Sequence, residues 1–290
     1  MGSAAPAVNA NRAIDRARRA RHTRRMKPWS KQDPARGSKT RRSGRPPRRA
    51  PDEDGPQILW GAHSVEAALA NPARVPLRLL ATENAARRLA EAGLVRAIEP
   101  EIVRPSEIDR LTGPEAVHQG IYLEAEPLPA LDEDSLPARG VIVVLDQVTD
   151  PHNVGAVLRS AAAHGATALM MTNRHSPAAT GVLAKAASGA LEHVPIAIVR
   201  NLARALARLK ERGVHVVGLD SEAEDTLETV AMTTPLALVL GAEGKGLREL
   251  TRETCDALAR LDLPGPIKSL NVSNAAALAL HVAVRRTGRP

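Results

Sequence analysis

The chain has 290 residues, 43% of them hydrophobic, and a formal net charge of +8. A single cysteine, Cys255, excludes an internal disulfide and a cysteine metal cluster, and suits a reducing, cytoplasmic compartment. The histidines are scattered without metal-ligand spacing, no apolar run approaches the roughly 18 residues of a membrane helix, and the N-terminus lacks the apolar core of a secretory signal, so neither a metal nor a membrane is expected.

The charge is unevenly distributed. Residues 1–50 carry 16 Lys and Arg against Asp15 and Asp33, a net of +14, which leaves the rest of the chain at −6. Residues 1–55, rich in Arg, Pro and Ser and without apolar periodicity, are expected to be a disordered basic tail. Such an arm suits nucleic-acid phosphates. A solvated extension and an Arg-rich transit peptide share that composition.

A small α/β domain is expected over residues 56–127. ILW opens it as a short strand. Ser64 is placed to cap a helix from Glu66 onward, stopped at Asn71-Pro72. VPLRLLAT is a strand, ENAARRLAEAG an amphipathic helix with Gly93 at its C-terminus, and HQGIYLEAEP a closing strand. The proline-rich, acidic residues 128–139 read as a linker.

A larger domain over residues 140–290 begins with VIVVLD, a continuous apolar run typical of a buried parallel strand. Then follow a helix capped by Asn153 and ending at Gly165, the strand ATALMMT, and a helix with Pro177 near its start. The strand VPIAIV, a helix capped by Asn201, and the strands VHVVGLD and PLALVLG come next. GLRELTRETCDALARL is expected as one helix, LDLP as a short strand, and NAAALALHVAVRR as the last helix. The rhythm β-α-β-α-β-α-β-β-α-β-α predicts a mostly parallel sheet covered on both faces.

Ligands of such sheets sit beyond the carboxyl ends of the strands. Three loops qualify: DQVTDPHNVG, GAEGKG and PGPIKSLNVSN. In the second, three glycines within six residues let backbone approach a ligand closely. It is not a phosphate-binding Walker loop, because Val239 stands where the first glycine is required and Gly follows Lys245. Glu243 sits among those glycines. Arg159 lies about 600° round the helix from Asn153, amid Ala, Val and Leu, where burial would require a partner. Ser269, Asn271, Ser273 and Asn274 are more polar groups than capping one helix consumes. With only Trp29, Trp60 and Tyr122 as aromatics, an RNA partner would be held by phosphates, shape and hydrogen bonds rather than by stacking.

DPHNVGAVLRSAAAHGA, LVLGAEGKGL and LDLPGPIKSLNVSNAAALAL, in this order, resemble the three motifs of the SpoU (TrmH) family of RNA ribose 2'-O-methyltransferases. LWGAHSVEAAL and EAVHQGI resemble the ends of the ribosomal-protein-like RNA-binding domain of the subgroup acting on a guanosine of large-subunit (23S) rRNA. The resemblance spans residues 57–287. It implies an α/β fold with a C-terminal trefoil knot, a homodimer, and S-adenosylmethionine bound in a bent conformation. Asn153, Arg159, Glu243, Ser269 and Asn271 fall on the family's catalytic positions. Leu240, Gly241, Ala242, Gly246, Leu261 and Leu270 fall where the cofactor is held. LDLPGP replaces the family's more usual IPMAG-like residues, and His164 replaces a bulky apolar residue. A tRNA 2'-O-methyltransferase and a non-catalytic RNA-binding member of the same fold are the alternatives.

Overall fold

The computed structural model describes residues 55–113, 115–172 and 181–288. The basic tail and Pro177 lie outside the described residues, as does the first part of the helix expected around it. The described residues belong to one unit, Ala50–Pro290.

The small domain is a four-stranded sheet with three helices. Its elements are β1 (Gln57–Trp60), α1 (Ala62–Ala70), β2 (Pro76–Ala81), α2 (Glu83–Glu91), β3 (Glu101–Ile102), α3 (Pro105–Thr112) and β4 (Ile121–Ala125). The strand order is β1-β4-β2-β3, with β4 antiparallel to both neighbours. Leu59, Leu79, Ala81, Leu123 and Ala125 point to one core. Leu80 and Tyr122 point to the other face, where Ile108 of α3 covers them. This is the period-2 alternation of strands.

The large domain holds β5 (Val141–Asp146), α4 (Pro151–Ala163), β6 (Ala168–Thr172), α5 (Gly181–Ala187), β7 (Ile196–Val199), α6 (Leu202–Glu211), β8 (His215–Leu219), β9 (Leu236–Gly241), α7 (Glu249–Thr254), β10 (Ala257–Ala259) and α8 (Val272–Thr287). All six strands are parallel, in the order β10-β8-β9-β5-β6-β7. The sheet is buried on both faces, which explains the unbroken apolar run of β5. Val141, Val143 and Leu145 face the side covered by α4, α5 and α8, whereas Ile142 and Val144 face the side covered by α6.

Several local expectations need correction. Ser64 does not cap α1, which starts two residues earlier behind Gly61; its Oγ donates to the carbonyl of Ala184 at 2.9 Å. Asn153 does not cap α4: Asp150 does, accepting from the amide of His152 at 2.9 Å, with Pro151 in the first turn. Asn201 caps α6 as expected, accepting from the amide of Arg204 at 3.1 Å. The helix expected from Gly246 through Leu261 is only α7. Asp256 takes over the chain by bonding the backbone of Val216 in both directions, at 2.8 Å each, and so pulls Ala257–Ala259 onto β8 as an edge strand. LDLP, expected as that strand, is irregular. β3 and α3 were not anticipated; their stretch is short and mostly polar.

Residues 128–139 are not a free tether. The amide of Leu131 donates to the carbonyl of Ile196 at 3.0 Å, Leu136 is buried, and Arg212 donates to the carbonyl of Leu136 at 2.6 Å. Arg208 pairs with Asp134 at 3.2 Å and with Glu133 at 3.4 Å.

Candidate active site at the carboxyl ends of the parallel strands

In this sheet β9 and β5 are neighbours, and the chain leaves them in opposite directions, from β5 toward β6 and from β9 toward β10. The crevice beyond the carboxyl ends at such a point is where doubly wound sheets bind ligands. β9 delivers Gly241 there, β8 delivers Leu219, and β5 delivers Asp146.

Asp146 is fully buried, and its carboxylate accepts from the amide of Arg248 at 3.0 Å and from its Nε at 2.7 Å. These charge-assisted bonds tie the far end of the glycine-rich loop to the end of β5. The near end is a tight crossing. The amides of Gly246 and Lys245 both donate to the carbonyl of Ala242, at 2.9 and 3.3 Å. A Cβ on Gly241 would overlap the backbone of Gly246 and Leu247, so this glycine is required by close approach rather than by its φ. Gly244 and Gly246 have φ of 77° and 65°, the left-handed region that turns the loop.

A cleft of about 500 Å³ lies against this loop. It is lined by Leu240, Gly241, Ala242, Glu243 and Gly246 from the second motif, and by Leu261, Ser269 and Leu270 from the third. All six positions expected to hold a cofactor therefore face one cavity. No backbone amide of residues 261–270 donates a hydrogen bond within the described residues. That segment offers unspent donors to a ligand, and the Gly241 crossing holds the glycine-rich loop opposite it. A flat nucleoside with polar edges fits this donor-rich, partly apolar cleft.

Of the five expected catalytic residues, Glu243 and Ser269 line the cleft. Asn271 and Asn153 are not among the lining residues, but Asn271 stands between Leu270 and Val272, which are, and its Nδ2 donates to Oδ1 of Asn153 at 3.0 Å. Asn271 also caps α8, its Oδ1 accepting from the amide of Ser273 at 2.9 Å and from the Ser273 hydroxyl at 2.6 Å. Arg159 is not brought to this cleft. It is exposed, six residues further along α4 than Asn153, and has no side-chain partner among the described residues.

The motifs do not reveal the whole lining. Asp220, Ser221 and Glu222 line it from the loop after β8, as do Arg252, Arg260 and Lys268. The strand-end rule that picked out the other loops applies equally to VHVVGLD. Asp220 pairs with Arg252 at 3.1 Å, and Lys268 donates to the carbonyl of Leu263 at 2.6 Å, so part of this charge braces the walls. Cys255 is no nucleophile: burial, and then the neighbouring Asp256, push its thiol up to about 12. Among the described residues no group of three or more His, Cys, Asp or Glu could hold a metal.

A parallel sheet covered on both faces, with one glycine-edged cleft across the ends of its central strands, defines an α/β protein that binds a nucleotide-like ligand at the switch point. Comparison with known proteins narrows this. Residues 140–281 match the model of the SpoU rRNA methylase family, and residues 58–131 match that of the RNA 2'-O ribose methyltransferase substrate-binding domain. The 23S rRNA (guanosine-2'-O-)-methyltransferase RlmB of Ralstonia nicotianae is 42% identical over 239 residues, 79% of this chain and 96% of that protein. The protein of the same description from Pseudomonas putida is 39% identical over 239 residues, with the same shares covered. Among solved structures, the SpoU methyltransferase AviRb from Streptomyces viridochromogenes superposes with a TM-score of 0.68 at 26% identity, covering 80% of this chain and 90% of that one. Its complex with AdoMet superposes with a TM-score of 0.70 at 24% identity over the same shares. The chain belongs to the SpoU rRNA methylase family.

Proposed function

We propose that this protein transfers a methyl group from S-adenosylmethionine to the 2'-hydroxyl of a guanosine in 23S rRNA. The observation that carries this reading is the cleft in which the glycine-rich loop and the 261–270 segment face each other, with Asn271, between the lining residues Leu270 and Val272, joined to Asn153. The substrate rests on relatives at about 40% identity that carry that description and are covered almost end to end.

S-adenosylmethionine supplies a methyl group on a positively charged sulfur, already activated for attack. The protein then has to hold two reactants in line and stabilise the developing 2'-alkoxide. The amides of Leu261, Ser269 and Leu270, which donate to nothing among the described residues, and the backbone of the glycine-rich loop hold the adenosine. Ser269 and Glu243 orient the polar groups of the cofactor and the ribose. The Asn153–Asn271 pair fixes the start of α8 against α4, so that the two walls move as one. Arg159 carries the charge for the alkoxide. A guanidinium does not give up its proton near neutral pH, so Arg159 stabilises and orients, and an RNA phosphate or a water takes the proton.

Arg159 stands outside the cleft of its own chain, and this favours a homodimer. α4 and α8 lie side by side, with the rings of His164 and His281 edge-to-face at 5.9 Å. Leu278, 47% exposed, stands on α8 in line with Asn274, His281 and Arg285. On α4, Arg159 and Ala163 are exposed. An isologous pairing of these helices covers Leu278 and presents Arg159 to the partner's cleft. The C-terminal segment 261–287 forms the trefoil knot of the family, and the enzyme works in the cytoplasm.

The test is methylation of 23S rRNA from a strain lacking the modification, with labelled S-adenosylmethionine, followed by mapping of the 2'-O-methyl position. Label on one guanosine ribose supports the reading; label on a base, or none on 23S rRNA, overturns it.

A further inference from the structure

The small domain meets the large one through a buried polar seam that the proposed chemistry does not use. Arg74, just before β2, and Glu192, after α5, form an ion pair at 2.6 Å with side chains 1% and 2% exposed. Every nitrogen of the guanidinium and both oxygens of the carboxylate have a partner. The Arg74 guanidinium also donates to Oε1 of Gln57 at 2.6 Å and to the carbonyl of Glu126 at 2.9 Å. Glu192 also accepts from Nδ2 of Asn71 at 2.7 Å. Around this pair, Ser64 donates to the carbonyl of Ala184, and Gln119 accepts from the amide of Ala62 at 3.0 Å and from Lys185 at 3.1 Å. Gly189 lies so close to α1 that a Cβ there would sit 2.8 Å from that of Ala67.

Such a pair adds little stability over well-packed apolar side chains, because both charges lose their water. What a bidentate fork supplies is direction: it is satisfied in one relative orientation. The segment joining the domains is immobilised as well, through Leu131, Leu136, Arg208 and Arg212. The seam also continues toward the chemistry. α5, which receives Ser64, packs on α4 so tightly that a Cβ on Gly155 would stand 2.5 Å from that of Ala186. α4 carries Asn153 and Arg159.

We propose that Arg74 and Glu192 are positioning residues that fix the small domain at one distance and angle from the transfer cleft, making it a gauge that selects the RNA geometry reaching that cleft. The proposal rests on the proposed function for the RNA, but not for the rigidity. A locked domain presents its bound RNA to the cleft at a high effective concentration, whereas a tethered one spreads it over many orientations. The gauge therefore acts on RNA long enough to touch both domains and is silent for RNA that touches only the cleft.

The experiment compares full-length protein with Glu192→Gln and Arg74→Lys on two RNAs: a long 23S fragment, and a minimal stem-loop carrying the same target guanosine. In Glu192→Gln, kcat/KM on the long fragment is expected to fall about tenfold or more, while kcat/KM on the stem-loop and the affinity for S-adenosylmethionine stay at the unaltered level. Arg74→Lys, which keeps the charge but not the fork, is expected to lie between. Equal loss on both RNAs, or no loss on either, overturns the gauge. Failure of the unaltered protein to methylate either RNA overturns the proposed function instead. Rigidity is measured separately, with spin labels at Arg87→Cys on α2 and Arg204→Cys on α6, the labelled chain diluted in unlabelled protein. One narrow distance, unchanged by RNA, is expected; a broad or RNA-dependent distribution overturns the proposal even if Glu192→Gln fails to fold.

Discussion

Replacing Gly241 by alanine tests how the cleft is built. The added Cβ would meet the backbone of Gly246 and Leu247, not the yielding tip of a side chain. Gly241 is also paired in register with Asp146 at the end of β9, so it cannot retreat without loosening the sheet. The loop must therefore move. Overpacking of this kind costs about 1–3 kcal/mol. If the bound state demands the original loop, that cost appears in cofactor affinity as a weakening of about 5- to 150-fold. Calorimetric titration with S-adenosylmethionine measures it, alongside a thermal melt. The melting temperature should fall by only about 2–4 °C per kcal/mol for a body of this size. Gly265→Ala is the control: that glycine lies in the facing segment, has no atom within 4 Å of its would-be Cβ, and is not at positive φ, so its affinity should be unchanged. Wild-type affinity in Gly241→Ala would refute the argument that the backbone crossing shapes the site.

Further outcomes are expected. Arg159→Ala should lower turnover about 100-fold or more while S-adenosylmethionine still binds normally; mixing it with inactive Asn271→Ala chains should restore activity if Arg159 serves the partner's cleft, and no recovery in the mixture would place it elsewhere. Asp146→Asn, which weakens the buried hold on Arg248, should cost about 1–3 kcal/mol, seen as a lower melting temperature and weaker cofactor binding; an unchanged melt would show that the loop is held by other means. Deleting residues 1–50 should weaken RNA binding and flatten its salt dependence, by about 0.7–0.9 in log–log slope for each phosphate the tail neutralises, with cofactor affinity untouched; an unchanged slope in filter binding would remove the tail from the RNA interface.

The order of strands and helices from β5 to β9 was legible because these strands are largely continuous apolar runs and the helices between them are punctuated by Gly or Asn. Caps were less legible. Asn153 and Ser64 have the side chains of capping residues, but Asp150 and Gly61 stand there instead, and tertiary partners claim the other two: Asn271 for Asn153, and Ala184 for Ser64. β10 was misplaced because its pairing partner lies some forty residues upstream, beyond any local window. Of the polar surplus in SLNVSN only Ser269 lines the cleft, Asn271 and Ser273 being spent on the cap of α8 and on Asn153, and nothing in Arg74 or Glu192 announced a pair separated by more than a hundred residues. Nor does α-helical spacing tell whether an arginine reaches its own cleft, and Arg159 does not.

The scarcity of aromatic residues has a practical side. Beyond the basic tail the chain contains a single tryptophan, Trp60, half-buried at the end of β1. Its neighbour Gly61 faces the Lys185 side chain of α5 so closely that a Cβ there would clash. A protein lacking residues 1–50 thus carries one built-in fluorophore at the junction of its two domains. Its emission wavelength and quenching would report in real time, without any label, whether that junction stays dry as RNA arrives.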